Sequence, residues 1–203
     1  MSSTGRRVAL PRSFFAPDAR LVAPLLLNKV IVRGNRSARI VEVEAYAGAD
    51  DPASHAYRGA TARNAVMFGP PGHLYVYFTY GLHWCANSVC GADGQASAVL
   101  LRAAQPLTGL DDMRGIRLAA RRDRDLANGP AKLCQAMGID GDHNGLDLMA
   151  GDQGVTIVDD GLAPPSDPGV SPRIGLRVGV ETPWRWYVPD DPNVSRRPRP
   201  RAS

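Results

Sequence analysis

Two glutamates one residue apart carry the first chemical possibility. From Ala38 to Tyr46 (ARIVEVEAY) apolar and polar residues alternate, the period of a β-strand with unlike faces. Val41, Val43 and Ala45 then share one face, and Glu42, Glu44 and Tyr46 share the other. A carboxylate on a strand whose opposite face is apolar suits a general base acting on water, which makes Glu44 the sharpest candidate. Glu42, one pleat away, would disfavour joint ionisation of the pair if both are poorly solvated. The same alternation also describes a strand whose outer face is simply solvated.

Aromatic residues come next. Tyr46, Tyr75, Tyr77 and Tyr80 fall on two candidate strands, with His55 and His83 near them in sequence. Rings with polar tips sandwich planar heterocycles, at ~1–3 kcal/mol per stacked base. Equally, tyrosines fill a β core with their hydroxyls at its rim. Tyr80 stands apart, because it precedes Gly81 at a turn where a large ring has no packing role. His83 and Cys85, two apart with Cys90 nearby, form a conceivable metal set, although free cysteines more often serve as packing. Lys132 is the only plausible amine nucleophile, and its place near a helix start suits packing or a phosphate contact better. The sequence has no GxSxG elbow, HExxH, Walker loop or strand-borne GxGxxG.

The elements that position these residues follow from pattern and punctuation. Val30 to Gly34 (VIVRG) reads as a strand, followed by the alternating Ala38 to Tyr46. A polar loop rich in Gly, Asp and Pro runs through Ala56. His73 to Cys90 reads as two strands about a tight turn, with Gly81 supplying the positive φ. SAVLLRAAQP is a further strand stopped by Pro106. Leu110 to Leu126 has helical spacing, and Asn128 is placed to cap a second helix with Pro130 in its first turn and Gly138 after its end. Strands are also expected at GVTIVDD, RIGLRVGV and near WRWYV. Strands and helices without a βαβα rhythm point to an α+β fold with a largely antiparallel sheet.

A length of 203 residues with 44% hydrophobic residues supports one sizeable core. The domain is expected over 21–189, between a loosely held N-terminal lead-in (1–20) and a disordered Arg/Pro-rich tail (190–203). No apolar run approaches the ~20 residues of a membrane span. MSSTGRRVAL lacks the core of a signal peptide, so a cytoplasmic location is expected. Three cysteines without CxxC spacing argue against a disulfide framework or a zinc ribbon. The formal charge of +4 resembles a nucleic-acid signature. Taking away the four tail arginines, however, leaves as many bases as the 20 Asp and Glu.

A carboxylate, aromatic plates and a protruding ring together suggest chemistry on an extruded nucleotide. Their setting resembles the alkyladenine (3-methylpurine) DNA glycosylase family in its bacterial form. The resemblance runs through VEVEAY, HAYRG, RNAVMFGPPGHLYVYFTYGLHWCAN, AVLLRAAQP and GPAKLCQA, covering more than half of the chain in order. The C-terminal PRIGLRVG and PWRWYV also fit.

This resemblance implies a single mixed domain with a curved sheet, flanking helices and a DNA-inserting hairpin. It would bind double-stranded DNA through the minor groove and phosphates as a monomer, nucleoid-associated when bound, without metal or cofactor. Glu44 matches the family's water-activating base, and Arg102 matches a residue that positions the water and nucleotide. Tyr46, His55 and Tyr77 match the residues that sandwich the flipped base, and Asn87 the pocket amide. Tyr80, with Leu82 beside it, matches the side chain wedged into the vacated stack. Leu82, His83 and Trp84 differ from some relatives, which bears on neighbouring-base contacts and lesion preference. The implied activity is monofunctional hydrolysis releasing 3-methyladenine, 7-methylguanine, hypoxanthine and ethenoadenine. Two other readings fit the residues alone: a damaged-DNA binding module that needs no Glu44, and a metal-dependent hydrolase using His83, Cys85 and His73.

Overall fold

The alternating apolar runs pair into one curled antiparallel sheet that carries every candidate residue on its strands or their connections. The computed structural model describes residues 7–151 and 154–195. In chain order the elements are β1 (Val8–Ala9), α1 (Arg12–Phe15), α2 (Ala19–Leu26), β2 (Val30–Arg33), β3 (Arg36–Tyr46), β4 (Leu74–Thr79), β5 (His83–Val89), β6 (Ala98–Thr108), α3 (Leu110–Ile116), α4 (Pro130–Met137), β7 (Val155–Asp159), β8 (Gly169–Ser171) and β9 (Arg185–Tyr187). The strand order is β1-β7-β2-β3-β6-β5-β4, with β9 pairing with β3 and carrying β8. The sheet curls into a half-barrel, making a single α+β domain as expected. Its main core joins α2 and α4 to the sheet through Val22, Leu26, Ile40, Leu101, Leu133 and Met137, all essentially inaccessible. Among the described residues no helix is long and apolar enough to cross a membrane.

Several local expectations are corrected. The N-terminal lead-in is packed down: β1 pairs with β7, and Phe15 is completely buried. Asp18 caps α2 by accepting the Arg20 N–H at 2.8 Å, so the chain is anchored before residue 21. Pro106 does not stop its strand. It lies at a register irregularity of β6 opposite Ala38, and the paired residues of β5 reach no further along β6 than Leu100. The missing N–H therefore costs no ladder bond on that side. The expected Leu110–Leu126 helix ends at Ile116, because only Met113 of α3 finds the core. Gly129, not Asn128, is the N-cap of α4. The Asn128 Oδ1 accepts instead from Lys132 Nζ at 2.7 Å. RIGLRVGV forms a loop rather than a strand, while β8 forms just before it. Asn193 and Val194 are buried rather than disordered. The tail arginines Arg196, Arg197, Arg199 and Arg201 lie outside the described residues.

Candidate active site

Two bulges shape the pairing of β3 with β6 around the candidate carboxylates. Along β3 and β6, Ile40 faces Ala104, Glu42 faces Ala103, and Val43 faces Leu101. Val41 on β3 and Arg102 on β6 are therefore left without ladder partners, the arrangement by which bulges re-aim side chains. Val41 consequently packs with Ala103 and Val194 instead of sharing a core face with Val43.

Arg102 reaches both glutamates, its Nε donating to Glu42 Oε1 at 2.9 Å and its Nη1 lying 3.2 Å from Glu44 Oε1. The cation thus offsets the repulsion expected between the carboxylates. Burial disfavours its charge, but Glu44 and Glu42 outweigh that and hold its pKa above the ordinary arginine value.

The glutamates, both fully buried, differ in their partners. Glu42 Oε1 also accepts from Arg185 Nε at 2.6 Å and Ser195 Oγ at 2.9 Å, and Oε2 accepts the Ser195 N–H at 2.7 Å. Burial alone would push its carboxyl up, yet the charges of Arg102 and Arg185 and the Ser195 N–H hold it below the usual range. Glu42 is a structural ion-pair node. Glu44 accepts the Tyr46 O–H on Oε2 at 2.9 Å and the Ile174 N–H on Oε1 at 2.7 Å. A carboxylate offers about four acceptor positions. With Arg102, the three protein donors leave Glu44 one for a further proton donor such as water.

Those partners of Glu44 form the wall of a cavity of about 360 Å³, lined by Tyr46, His55, Tyr77, Asn87, Arg102 and Ile174 among others. That size falls within the ~300–1,000 Å³ of small-molecule sites. Glu44 is not part of the lining and sits directly behind it. His55 meets Tyr77 edge to face at 4.5 Å, and Tyr77 stacks on Tyr75 at 5.5 Å. His55 Nδ1 shares a 3.1 Å hydrogen bond with the Tyr75 hydroxyl. Burial, then the Arg63 charge, push the His55 pKa down, which favours a neutral ring at neutral pH. Burial pushes the Tyr75 pKa up to about 12. It also raises the Tyr46 and Tyr77 hydroxyl pKa values, so the plates stay uncharged. Asn87 lines the cavity while its Nδ2 donates to the Tyr75 carbonyl at 3.1 Å, which fixes its amide.

At the rim, the hairpin of β4 and β5 turns through Tyr80–Leu82, with the Leu82 N–H bonded to the Thr79 carbonyl at 3.1 Å. Gly81 has φ +65° as expected, but Tyr80 also lies in the left-handed region at φ +52°. That conformation disfavours a bulky L-residue. Tyr80 is 85% exposed and Leu82 72%. A strained backbone that displays two large apolar side chains to solvent has no packing explanation.

Residues missed by inspection of the sequence complete the site. The Ile174 N–H comes from a loop mistaken for a strand, and a backbone donor leaves no compositional trace. Arg173 pairs with Asp51 and lies over Tyr46. Only an arginine in an apolar context could have drawn attention to it. His73 turns to the Pro70 carbonyl and Arg12. Among the described residues no three His, Cys, Asp or Glu side chains are grouped to hold an ion.

The described residues thus form a single-domain half-barrel with a buried, ion-paired carboxylate behind an aromatic cavity, beneath an exposed rim ring. The methylpurine-DNA glycosylase family model matches residues 13–192, and the chain belongs to that family. It is thus a monofunctional DNA N-glycosylase whose substrate is DNA. It is 61% identical over 187 residues to a protein of Burkholderia lata named 3-methyladenine DNA glycosylase, covering 92% of this chain and 90% of that one. Similarly named proteins of Streptomyces avermitilis and Carboxydothermus hydrogenoformans are 49% and 46% identical. These cover 93% of this chain, and 92% and 99% of their own lengths.

Proposed function

We propose that the enzyme, acting as a monomer from the minor groove, extrudes alkylated or deaminated purines and hydrolyses the N-glycosidic bond with water activated by Glu44. The observation carrying this is the Glu44 carboxylate, ion-paired to Arg102 immediately behind a cavity walled by Tyr46, His55 and Tyr77. The flipped purine stacks between Tyr46 on one side and His55 and Tyr77 on the other. The water to be activated takes the remaining acceptor position of Glu44. The C1′–N9 bond, the same bond whether the purine is alkylated at N3 or N7 or deaminated, breaks with its electron pair leaving on the base. The carboxylate stabilises the oxocarbenium-like sugar and takes the water proton as the oxygen bonds C1′. A cationic base such as 3-methyladenine or 7-methylguanine departs neutral. Hypoxanthine or ethenoadenine departs with negative charge and needs a proton or hydrogen bonds.

Release of free base from alkylated duplex DNA in EDTA tests this reading. Binding without release would favour a damaged-DNA binding module, and release abolished by EDTA would favour a metal-dependent hydrolase.

In this reading Tyr80 fills the gap left by the base, with Leu82 supporting it, which offsets an unstacking cost of a few kcal/mol. Tyr80→Ala is expected to speed the return of ethenoadenine to the helix in stopped-flow fluorescence, with little loss of non-specific DNA binding. Unchanged flipping kinetics would reduce Tyr80 to an exposed turn residue.

Asn87, fixed by the Tyr75 carbonyl, is placed to exclude the 2-amino group that distinguishes guanine from hypoxanthine. Asn87→Ser is expected to raise guanine excision relative to hypoxanthine excision several-fold, since misplacing one polar group costs ~1–3 kcal/mol. Single-turnover rates with the opposing base held constant check this. A constant ratio with both rates falling would assign Asn87 to the fold.

A further inference from the structure

We infer that the buried Arg173–Asp51 pair sets how the pocket divides its activity between purines that arrive positively charged and purines that arrive neutral. The inference rests on the proposed stacking of the extruded purine on Tyr46. The Arg173 guanidinium lies 4.6 Å from the centroid of the Tyr46 ring, and its side chain is completely buried. Tyr46 lines the cavity and Arg173 does not, so the ring separates the cation from the space a base would fill. Asp51 grips the guanidinium at both ends, accepting from Nη1 at 2.5 Å and Nη2 at 2.8 Å. Nη1 also donates to the Ala45 carbonyl at 2.9 Å, but the buried Nε has no hydrogen-bond partner. Hydrogen bonding is therefore incomplete where the ring contact is kept.

Charge at this distance acts on the leaving base. In a buried setting, unit charges several ångströms apart interact strongly enough to change rates measurably. A purine already carrying a positive charge is disfavoured by a cation behind its stacking plate. A neutral purine takes the electron pair of the glycosidic bond as it leaves, and the same cation favours that developing negative charge. Asp51 neutralises Arg173 and keeps both classes within range. The two are positioning residues that act through Tyr46 without touching the substrate. The guanidinium lies over the Tyr46 ring, while Asp51 is bonded to its Nη1 and Nη2. The cation therefore outweighs its partner at the base.

The test compares kcat/KM for hypoxanthine and 7-methylguanine in otherwise identical duplexes. The double variant Arg173→Gln with Asp51→Asn holds no unpaired buried charge. It is expected to lower the hypoxanthine-to-7-methylguanine ratio about threefold, well under the tenfold that one pKa-sized interaction produces. Asp51→Asn alone leaves the cation uncompensated and should raise the ratio about tenfold. Shifts of opposite sign cannot come from general loosening of the site. An unchanged ratio in the double variant, or a shift of the same sign in both, overturns the inference, and the double variant decides alone if Asp51→Asn does not fold. Wild-type enzyme that releases neither base would instead overturn the proposed function.

Discussion

Glu44→Gln is expected to bind DNA nearly as wild type does and to lose base release by at least ~10², the lower end of general acid–base contributions. Glutamine keeps an acceptor oxygen for the Ile174 N–H, at 2.7 Å in the wild type, while its NH2 donates to the Tyr46 hydroxyl, which turns from donor to acceptor. Its amide can neither take a proton from water nor balance a cationic sugar. It also removes the negative partner of Arg102, leaving Glu42 to satisfy that cation. The folded state therefore survives while the reaction does not. Single-turnover kinetics on hypoxanthine-containing duplex, with titration of the same DNA, separates the two effects. Activity within about threefold of wild type would remove Glu44 from the mechanism.

Glu42→Gln, chemically the same change two residues away, is expected to act on stability instead. Removing one partner from a buried ion cluster costs about 3–5 kcal/mol, because the remaining charge stays buried. For a chain of this length that is a fall in Tm of roughly 10 °C. The pH dependence follows from the depressed folded-state pKa of Glu42. Its contribution is fully present above the unfolded carboxylate pKa and is lost as pH falls through the lower folded value. The wild type should thus lose stability on acidification across that window, and Glu42→Gln should lose less there. Urea melts at neutral and acid pH check both points. A variant within about 1 kcal/mol of wild type at neutral pH would contradict the ion-pair assignment. If it were also stable but inactive, the two carboxylates would have exchanged roles.

Sequence pattern alone determined the parts that depend on neighbours in the chain. Period-two alternation placed β3, and strand-forming runs about the turn glycine Gly81 placed β4, β5 and the hairpin between them. Pro130 and Gly138 bracketed α4 as their backbone preferences require. The candidate carboxylates and aromatic plates were legible from residue type, and the family resemblance joined them into one site. Pattern failed where the tertiary setting overrode local preference. The RIGLRVGV segment has the alternation of a strand, yet it is held as a loop by Arg173 on Asp51 and the Ile174 N–H on Glu44.

How each glutamate is partnered was decided only by the tertiary structure. Glu42 and Glu44 have apolar neighbours on both sides, lie on one strand and share one expected face. Arg102, Arg185 and Ser195, which occupy Glu42, stand 60, 143 and 153 residues away in the chain. Arg102 reaches both carboxylates because register shifts leave it unpaired in the ladder. Alternation reports the face on which a side chain emerges, since that depends only on backbone period. The partner it meets depends on strand register and chain return, which no local pattern encodes.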